Sequence, residues 1–122
     1  MLIAIADDDP DITFLLGAFL LDNGHEVATV DNGAAALELC RDRCPDVLLM
    51  DITMPGEFNG LDVLTAIRAS PEGADMPVLL LTARAGEQHI AEGMAAGATA
   101  YLVKPFEMAE LLSRLADLHG DS

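Results

Sequence analysis

Short apolar runs and amphipathic stretches alternate five times along this chain. Leu2–Ala6 is an apolar run of strand length that begins at once. Asp11–Asn23 carries Ile12, Leu15, Leu16, Phe19 and Leu20 at helical spacing. Asn23-Gly24 closes that helix, since glycine suits a left-handed cap. Glu26–Val30 is a weaker strand, and Gly33–Arg43 is an Ala-rich helix stopped by Pro45. Val47–Met50 is continuously apolar, the pattern of a strand covered on both faces. The turn-rich stretch Thr53 to Gly60 leads into a helix over Leu61–Ala69, with Leu61, Leu64 and Ile67 on one face. After the Pro- and Gly-containing loop Ser70–Met76 come a strand at Val78–Leu81 and a helix at Glu87–Ala96, capped near Gly97. The last unit is a strand at Ala100–Val103 and a helix at Glu107–His119, with Leu111, Leu112, Leu115 and Leu118 facing inward.

Five successive strand–helix units predict an α/β domain with a parallel sheet and helices on both faces, joined by right-handed crossovers. The expected architecture is the flavodoxin-like doubly wound (βα)5 fold with strand order 2-1-3-4-5. A chain of 122 residues, 52% apolar, suits one domain over residues 1–122 with one core, and it contains no linker or repeat. No apolar run approaches the roughly 18–20 residues that span a bilayer. The opening Met1-Leu2-Ile3-Ala4-Ile5-Ala6 is too short and uncharged for a signal peptide, so a soluble, cytoplasmic protein is expected.

Polar residues cluster where four of the strands end. The first strand runs into Asp7-Asp8-Asp9, the third into Asp51, the fourth into Thr82 and the fifth into Lys104. Open α/β sheets bind ligands beyond the carboxyl ends of their strands, and in the order 2-1-3-4-5 these four strands are neighbours. Each residue alone has a plainer explanation. Asp9 or Asp11 can be a helix N-cap, Thr82 a turn residue, and Lys104-Pro105 a surface turn. Their joint occurrence is what points to a site.

Charge sharpens this picture. Six Lys and Arg stand against 21 Asp and Glu, a formal net charge of −15 that repels nucleic acid. Lys104 is the only lysine in the chain. Asp7, Asp8 and Asp51 crowd like charges together and call for a cation. A hard divalent ion with oxygen ligands fits, and Mg2+ needs only one or two carboxylates because it keeps several waters. Lys104 adds a mobile positive charge and Thr82 a hydroxyl donor. That set suits phosphoryl transfer, where catalysis is mostly positioning and neutralisation, with a carboxylate able to serve as acceptor. None of His25, His89 and His119 follows a strand at this edge, so all three are expected at the solvated surface and a serine-type triad is disfavoured. Cys40 and Cys44 have no partner set for zinc and are expected to be reduced, partly buried thiols.

At these residues the sequence resembles the receiver domain of two-component response regulators, over essentially the whole chain. The resemblance is carried by Asp7-Asp8, by Asp51 followed by Met54-Pro55-Gly56, by Thr82-Ala83, by Tyr101, and by Lys104-Pro105-Phe106. It implies that Asp51 accepts a phosphoryl group from a phosphohistidine on a sensor histidine kinase or a histidine phosphotransfer protein. It implies that Asp8, Asp51 and the backbone carbonyl of Thr53 ligate Mg2+ (or Mn2+), with Asp7 acting largely through water. Lys104 is implied to pair with Asp51 and then with the phosphoryl oxygens, while Thr82, next to Ala83, swings in to bind them. Tyr101 would then move inward and alter the face made by the fourth helix, fifth strand and fifth helix, which a downstream effector or a second copy reads. A cis Lys104–Pro105 bond is expected, and neither nucleic-acid nor membrane contact is expected of this domain. The resemblance describes a phosphoacceptor rather than an enzyme in the ordinary sense. One departure stands out: Gly60 lies nine residues after Asp51, where the family commonly has eight, so the intervening loop is one residue longer. Thr53 and Arg84 occupy positions that, in the family this sequence resembles, border the phosphoryl group and tune its lifetime.

Rival readings fare worse. Asp9-Pro10-Asp11-Ile12-Thr13 matches the Asp-x-Asp-x-Thr motif of haloacid dehalogenase-type phosphatases, but Asp9 falls beyond the strand end and no cap region exists. An EF-hand starting at Asp7 would have Ile12 and Ala18 where glycine and glutamate are required. A receiver that binds partners without being phosphorylated is opposed by the intact acidic pair, Asp51, Thr82 and Lys104.

Overall fold

Strands whose side chains are apolar on both faces must be covered on both faces, and this chain does so with helices. The structure, a computed structural model, describes residues 1–52, 59–71, 73–82 and 87–118, with residues 87–89 described for backbone only. The elements are β1 (Leu2–Ala6), α1 (Pro10–Asp22), β2 (Glu26–Val30), α2 (Gly33–Arg43), β3 (Val47–Asp51), α3 (Gly60–Ala69), β4 (Val78–Thr82), α4 (Glu87–Ala95), β5 (Ala100–Val103) and α5 (Met108–Leu118). All four strand pairings are parallel, in the order β2-β1-β3-β4-β5. This is the doubly wound arrangement expected from the sequence.

The two-residue period of a strand divides the core into two layers. Ile3, Ile5, Val47, Leu49, Leu79 and Leu81 turn to one face, where Leu16 and Leu20 of α1 and Leu111 and Leu115 of α5 cover them. Ala4, Ala6, Leu48, Met50, Val78 and Leu80 turn to the other, against Ala36 and Cys40 of α2 and Val63, Leu64 and Ile67 of α3. Register keeps the layers aligned, with Ile5 beside Leu49, Leu49 beside Leu79 and Leu81 beside Leu102. The weaker β2 lies at the sheet edge with exposed and half-buried residues, which explains its fainter pattern.

Local capping moves several element ends. Asp9 caps α1, accepting from the Asp11 amide at 2.9 Å, so the helix begins at Pro10 rather than Asp11. Asn59 and Asp62 form a reciprocal capping box, so α3 begins at Gly60. Helix α4 ends at Ala95 rather than Ala96, and α5 begins at Met108 rather than Glu107. Asp51 and Thr82 are the last residues of their strands rather than residues beyond them.

Some expected burial is corrected. Leu15, one of the apolar residues read at helical spacing in α1, is 56% exposed, and its neighbour Phe14 is 74% exposed. The helix is apolar on nearly every side, so periodicity alone could not choose its inner face. Leu112 is only half-buried. His25 is half-buried, not solvated, and its Nδ1 is enclosed with no hydrogen-bond partner among the described residues. Cys40 is buried while Cys44 is exposed at the left-handed end of α2. The side chain of His89, and His119 entirely, lie outside the described residues, as does the longer loop over residues 53–58.

At Gly60 the start of α3 lies directly against the end of β3. A Cβ there would stand 2.5 Å from the Asp51 carbonyl oxygen and 2.7 Å from the Ile52 Cα. Both are backbone atoms that cannot turn aside. Gly60→Ala is therefore expected to destabilise the domain by about 1–3 kcal/mol, read as a fall in the urea midpoint. An unchanged midpoint would show that the α3 start can retreat freely from β3.

Burial and the neighbouring Cys44 push the Cys40 thiol from 9.0 to about 11. The folded state therefore holds this proton more tightly than the unfolded chain. Its contribution to stability is complete below the unfolded value and is lost as pH rises through the folded one. The native protein is expected to expose one thiol to a disulfide reagent at pH 8, Cys44, and a second only on unfolding. Two equally fast thiols would contradict the enclosed position of Cys40.

Candidate functional site

Four strand ends deliver the polar residues to one edge of the sheet. Asp7 follows β1 directly, and its amide extends the ladder to the Val30 carbonyl at 3.1 Å. Asp51 and Thr82 end β3 and β4, where Ile52 N donates to Leu81 O at 3.1 Å and Lys104 N donates to Thr82 O at 2.6 Å. These bonds hold the backbone of each functional residue in sheet geometry at the point where its side chain leaves the core. Asp7, Asp51 and Thr82 are the buried polar residues among those described.

Lys104 closes the group. Its Nζ donates to Asp7 Oδ2 at 2.8 Å and to Asp51 Oδ2 at 3.0 Å. Burial works against the ammonium charge, but the hydrogen bonds and charges of Asp7 and Asp51 outweigh it and hold the Lys104 pKa above its usual value. The family resemblance implied the Asp51 partnership. The shorter bond to Asp7 could not be read from the sequence, because the two residues are 97 positions apart. The other oxygen of Asp7 accepts from the Asp9 amide at 2.9 Å, so one buried carboxylate supports both the lysine and the turn into α1.

The third carboxylate, Asp8, is exposed, and one ligand oxygen from each of Asp7, Asp8 and Asp51 lies within 4.8 Å of the others. Three carboxylates with one ammonium leave negative charge uncompensated, and an all-oxygen set of this kind fits a hard divalent cation. Beside it an open cleft of about 550 Å³ is lined by Asp7, Asp8, Pro10, Thr13, Thr29, Val30, Asp31 and Ala35, which gives the cluster contact with solvent. On the other side, Ile12, Leu15, Leu16, Pro105, Phe106 and Met108 form an apolar cleft of about 540 Å³ that also touches Lys104. The Lys104–Pro105 peptide is cis, as expected. Tyr101 is half-buried on β5 and packs against the core layer under α2 and α3. Thr53, Ala83 and Arg84 lie outside the described residues.

Comparison with known proteins now decides the family. The family model for the response regulator receiver domain matches residues 3–116. The chain belongs to the response regulator receiver domain family. This receiver is 41% identical over 116 residues to the transcriptional regulatory protein PrrA of Mycobacterium tuberculosis, an alignment covering 95% of the chain and 48% of PrrA. It thus spans about half the length of the curated relatives it matches. Among solved structures it resembles the chemotaxis response regulator CheY4 of Vibrio cholerae, with a TM-score of 0.90, 32% identity, and coverage of 96% and 97% of the two chains. It also resembles the receiver domain of the sensor histidine kinase PA1611 of Pseudomonas aeruginosa, with a TM-score of 0.91, 31% identity, and 98% of each chain covered. That domain holds a magnesium ion coordinated in its active-site cleft. Receiver domains of this family are phosphorylated on an aspartate in two-component signalling.

The shared lysine makes a prediction about stability. Lys104→Met strands the charge of Asp7, which is 1% exposed, and is expected to cost roughly 1–3 kcal/mol without divalent cation. Adding Asp7→Asn should recover part of that loss, so the double variant is more stable than the sum of the two single changes predicts. Simple additivity in urea denaturation would mean that the two side chains are not coupled.

Proposed function

We propose that this receiver takes a phosphoryl group from a phosphohistidine donor onto Asp51 in a Mg2+-dependent reaction, and that the new charge is relayed through the α4–β5–α5 face. The observation that carries the reading is the position of Asp51: at the end of a central strand, 9% exposed, sharing the Lys104 ammonium with Asp7. In this reading an Asp51 carboxylate oxygen forms a bond to phosphorus while the P–N bond to the donor imidazole breaks. The leaving imidazole nitrogen keeps the P–N electron pair and takes up a proton from solvent, so the products are an aspartyl phosphate and a neutral histidine.

Asp7, Asp8 and Asp51 would hold Mg2+ or Mn2+, with the Thr53 backbone carbonyl completing the set. The ion supplies positive charge that offsets the carboxylates and the transferring phosphoryl oxygens. Lys104 remains within reach of the Asp51 carboxylate and is the group that pairs with the added charge. Thr82, beside Ala83, contributes a hydroxyl that turns to the phosphoryl oxygens in the modified state. A phosphoryl group brings about −1.5 to −2 charges and three acceptor oxygens, so Thr82 and Lys104 interact differently with the two states. That difference is what can shift a conformational equilibrium. Tyr101 reads the shift.

The donor would be a sensor histidine kinase or a histidine phosphotransfer protein. Support comes from the apolar cleft beside Lys104, which Leu15, exposed on α1, helps to line; apolar surface of this kind suits a protein partner. The output goes to a downstream effector protein or domain, or to a second copy of the receiver in a phosphorylation-dependent homodimer. The net charge of −15 argues against direct contact with nucleic acid. No helix among the described residues is long and apolar enough to cross a membrane, which accords with a cytoplasmic site of action. Residues 1–122 are read as one receiver domain that assists its own phosphorylation and dephosphorylation without turning over a separate substrate.

Incubation with acetyl phosphate and Mg2+ is expected to add the mass of one phosphoryl group to the intact protein. The gain should vanish in Asp51→Asn and on chelation of the metal. An unmodified mass for the unaltered protein would favour a receiver that only binds partners, and steady hydrolysis of many phosphate esters would favour a phosphatase.

A further inference from the structure

Arg68 sits in the last turn of α3, at the sheet edge opposite the carboxylates, and its contacts gather three stretches of chain. Its Nη1 donates to the carbonyls of Gly73 at 2.7 Å and Met76 at 2.6 Å, in the connection from α3 to β4. Its Nε donates to the Gly97 carbonyl at 2.8 Å, and its Nη2 to Thr99 Oγ1 at 3.3 Å, in the turn from α4 to β5. No acceptor in this set is a carboxylate. The rigid, many-donor fork of a guanidinium suits such a dispersed group of carbonyls, and a lysine could not span it.

The surroundings are shaped to the side chain. Gly97 has φ +110°, and a Cβ there would lie 3.0 Å from Arg68 Cγ and 3.2 Å from its Nε. The arginine stem thus occupies the space that a side chain at 97 would need. Thr99 ties the same point into the sheet: its Oγ1 also accepts from Val78 N at 3.1 Å, and its amide donates to Val78 O at 2.9 Å.

Strand β5 is an edge strand paired only to β4. Its far end is tied through Thr99 to Arg68, and its near end through Lys104 to Asp7 and Asp51. Thr99 and Lys104, the two tied residues, stand about 15 Å apart along the strand, and Tyr101 lies between them in the chain. A strand held at one end only would answer a change at Lys104 by shifting as a body. Held at both ends, it must answer in between.

We propose that Arg68 is a positioning residue for signal relay: it anchors the start of β5 so that a change in charge at Asp51 is expressed at Tyr101 rather than dissipated as strand displacement. This rests on the reading of Asp51 as phosphoryl acceptor and adds the part of the molecule against which the switch works.

The test uses a convenience of composition. Tyr101 is the only tyrosine and the chain has no tryptophan, so intrinsic fluorescence reports this one side chain. Acetyl phosphate with Mg2+ is added to the unaltered protein, Arg68→Met and Arg68→Lys, and phosphoryl mass and tyrosine fluorescence are followed together. The expected result is an equal mass gain in all three, with the fluorescence change reduced at least twofold in Arg68→Met and not restored in Arg68→Lys. Leu20→Ala, a core change on α1 away from β5, serves as a control for lost stability, compared at equal distance below each midpoint. It should keep the full response. Thr99→Val, which removes one acceptor while preserving β-branched shape, should give a partial loss and takes the place of Arg68→Met if that variant does not fold.

A full response in Arg68→Met, or in Thr99→Val where it stands in, overturns the proposal. So does an equal loss in Leu20→Ala, or an unaltered protein that gains the phosphoryl mass with no change at Tyr101. Absence of the mass gain in the unaltered protein instead overturns the reading of Asp51, and the anchor proposal with it.

Discussion

Three carboxylates within 4.8 Å of one another, with one lysine between two of them, are the constraint around which this molecule is arranged. Such a cluster is unfavourable unless positive charge is supplied to it. Lys104 supplies part. The remainder fits a divalent cation, in a chain with only six basic residues. The site is therefore held short of neutrality by its own composition. Asp51 and Asp7 are coupled through the one ammonium that both accept from.

The sheet makes that arrangement rigid. Because β1, β3, β4 and β5 are adjacent and parallel, their carboxyl ends lie along one edge. Because the inner strands are buried on both faces, a slip by one position would exchange the two layers, pushing Ile3 and Ile5 of β1 into the space that Ala4 and Ala6 leave for the opposite helices. Asp51 and Thr82 inherit their positions from that register. Gly60 adds a steric condition, letting the start of α3 lie against the Asp51 carbonyl where any side chain would intrude. The far edge is secured differently, by the Arg68 guanidinium collecting carbonyls from two connections.

Strand and helix positions were legible because five apolar runs alternate with amphipathic stretches, and because Gly24, Pro45 and Gly97 mark ends that physics enforces locally. Boundaries moved where a cap decided them: Asp9 drew Pro10 into α1, and the Asn59–Asp62 box drew Gly60 into α3. The inward face of α1 was not legible. Phe14, Leu15 and Leu16 are apolar in succession, and only the position of the sheet selects Leu16 for burial and leaves the other two at the surface. His25 was misjudged for a related reason, since a turn residue becomes enclosed only when neighbouring elements fold over it.

The acidic pair, Asp51, Thr82 and the sole lysine were determined as candidates by the sequence alone, because a strand end followed by a polar residue is a local pattern. Which of them touch was not. The bond from Lys104 to Asp7, across 97 residues, and the union of three chain segments at Arg68 arise only once parallel strands bring remote residues to the same edge. Local sequence specifies what each turn of chain can become. Contacts between distant turns are set by packing, and packing is a property of the folded whole.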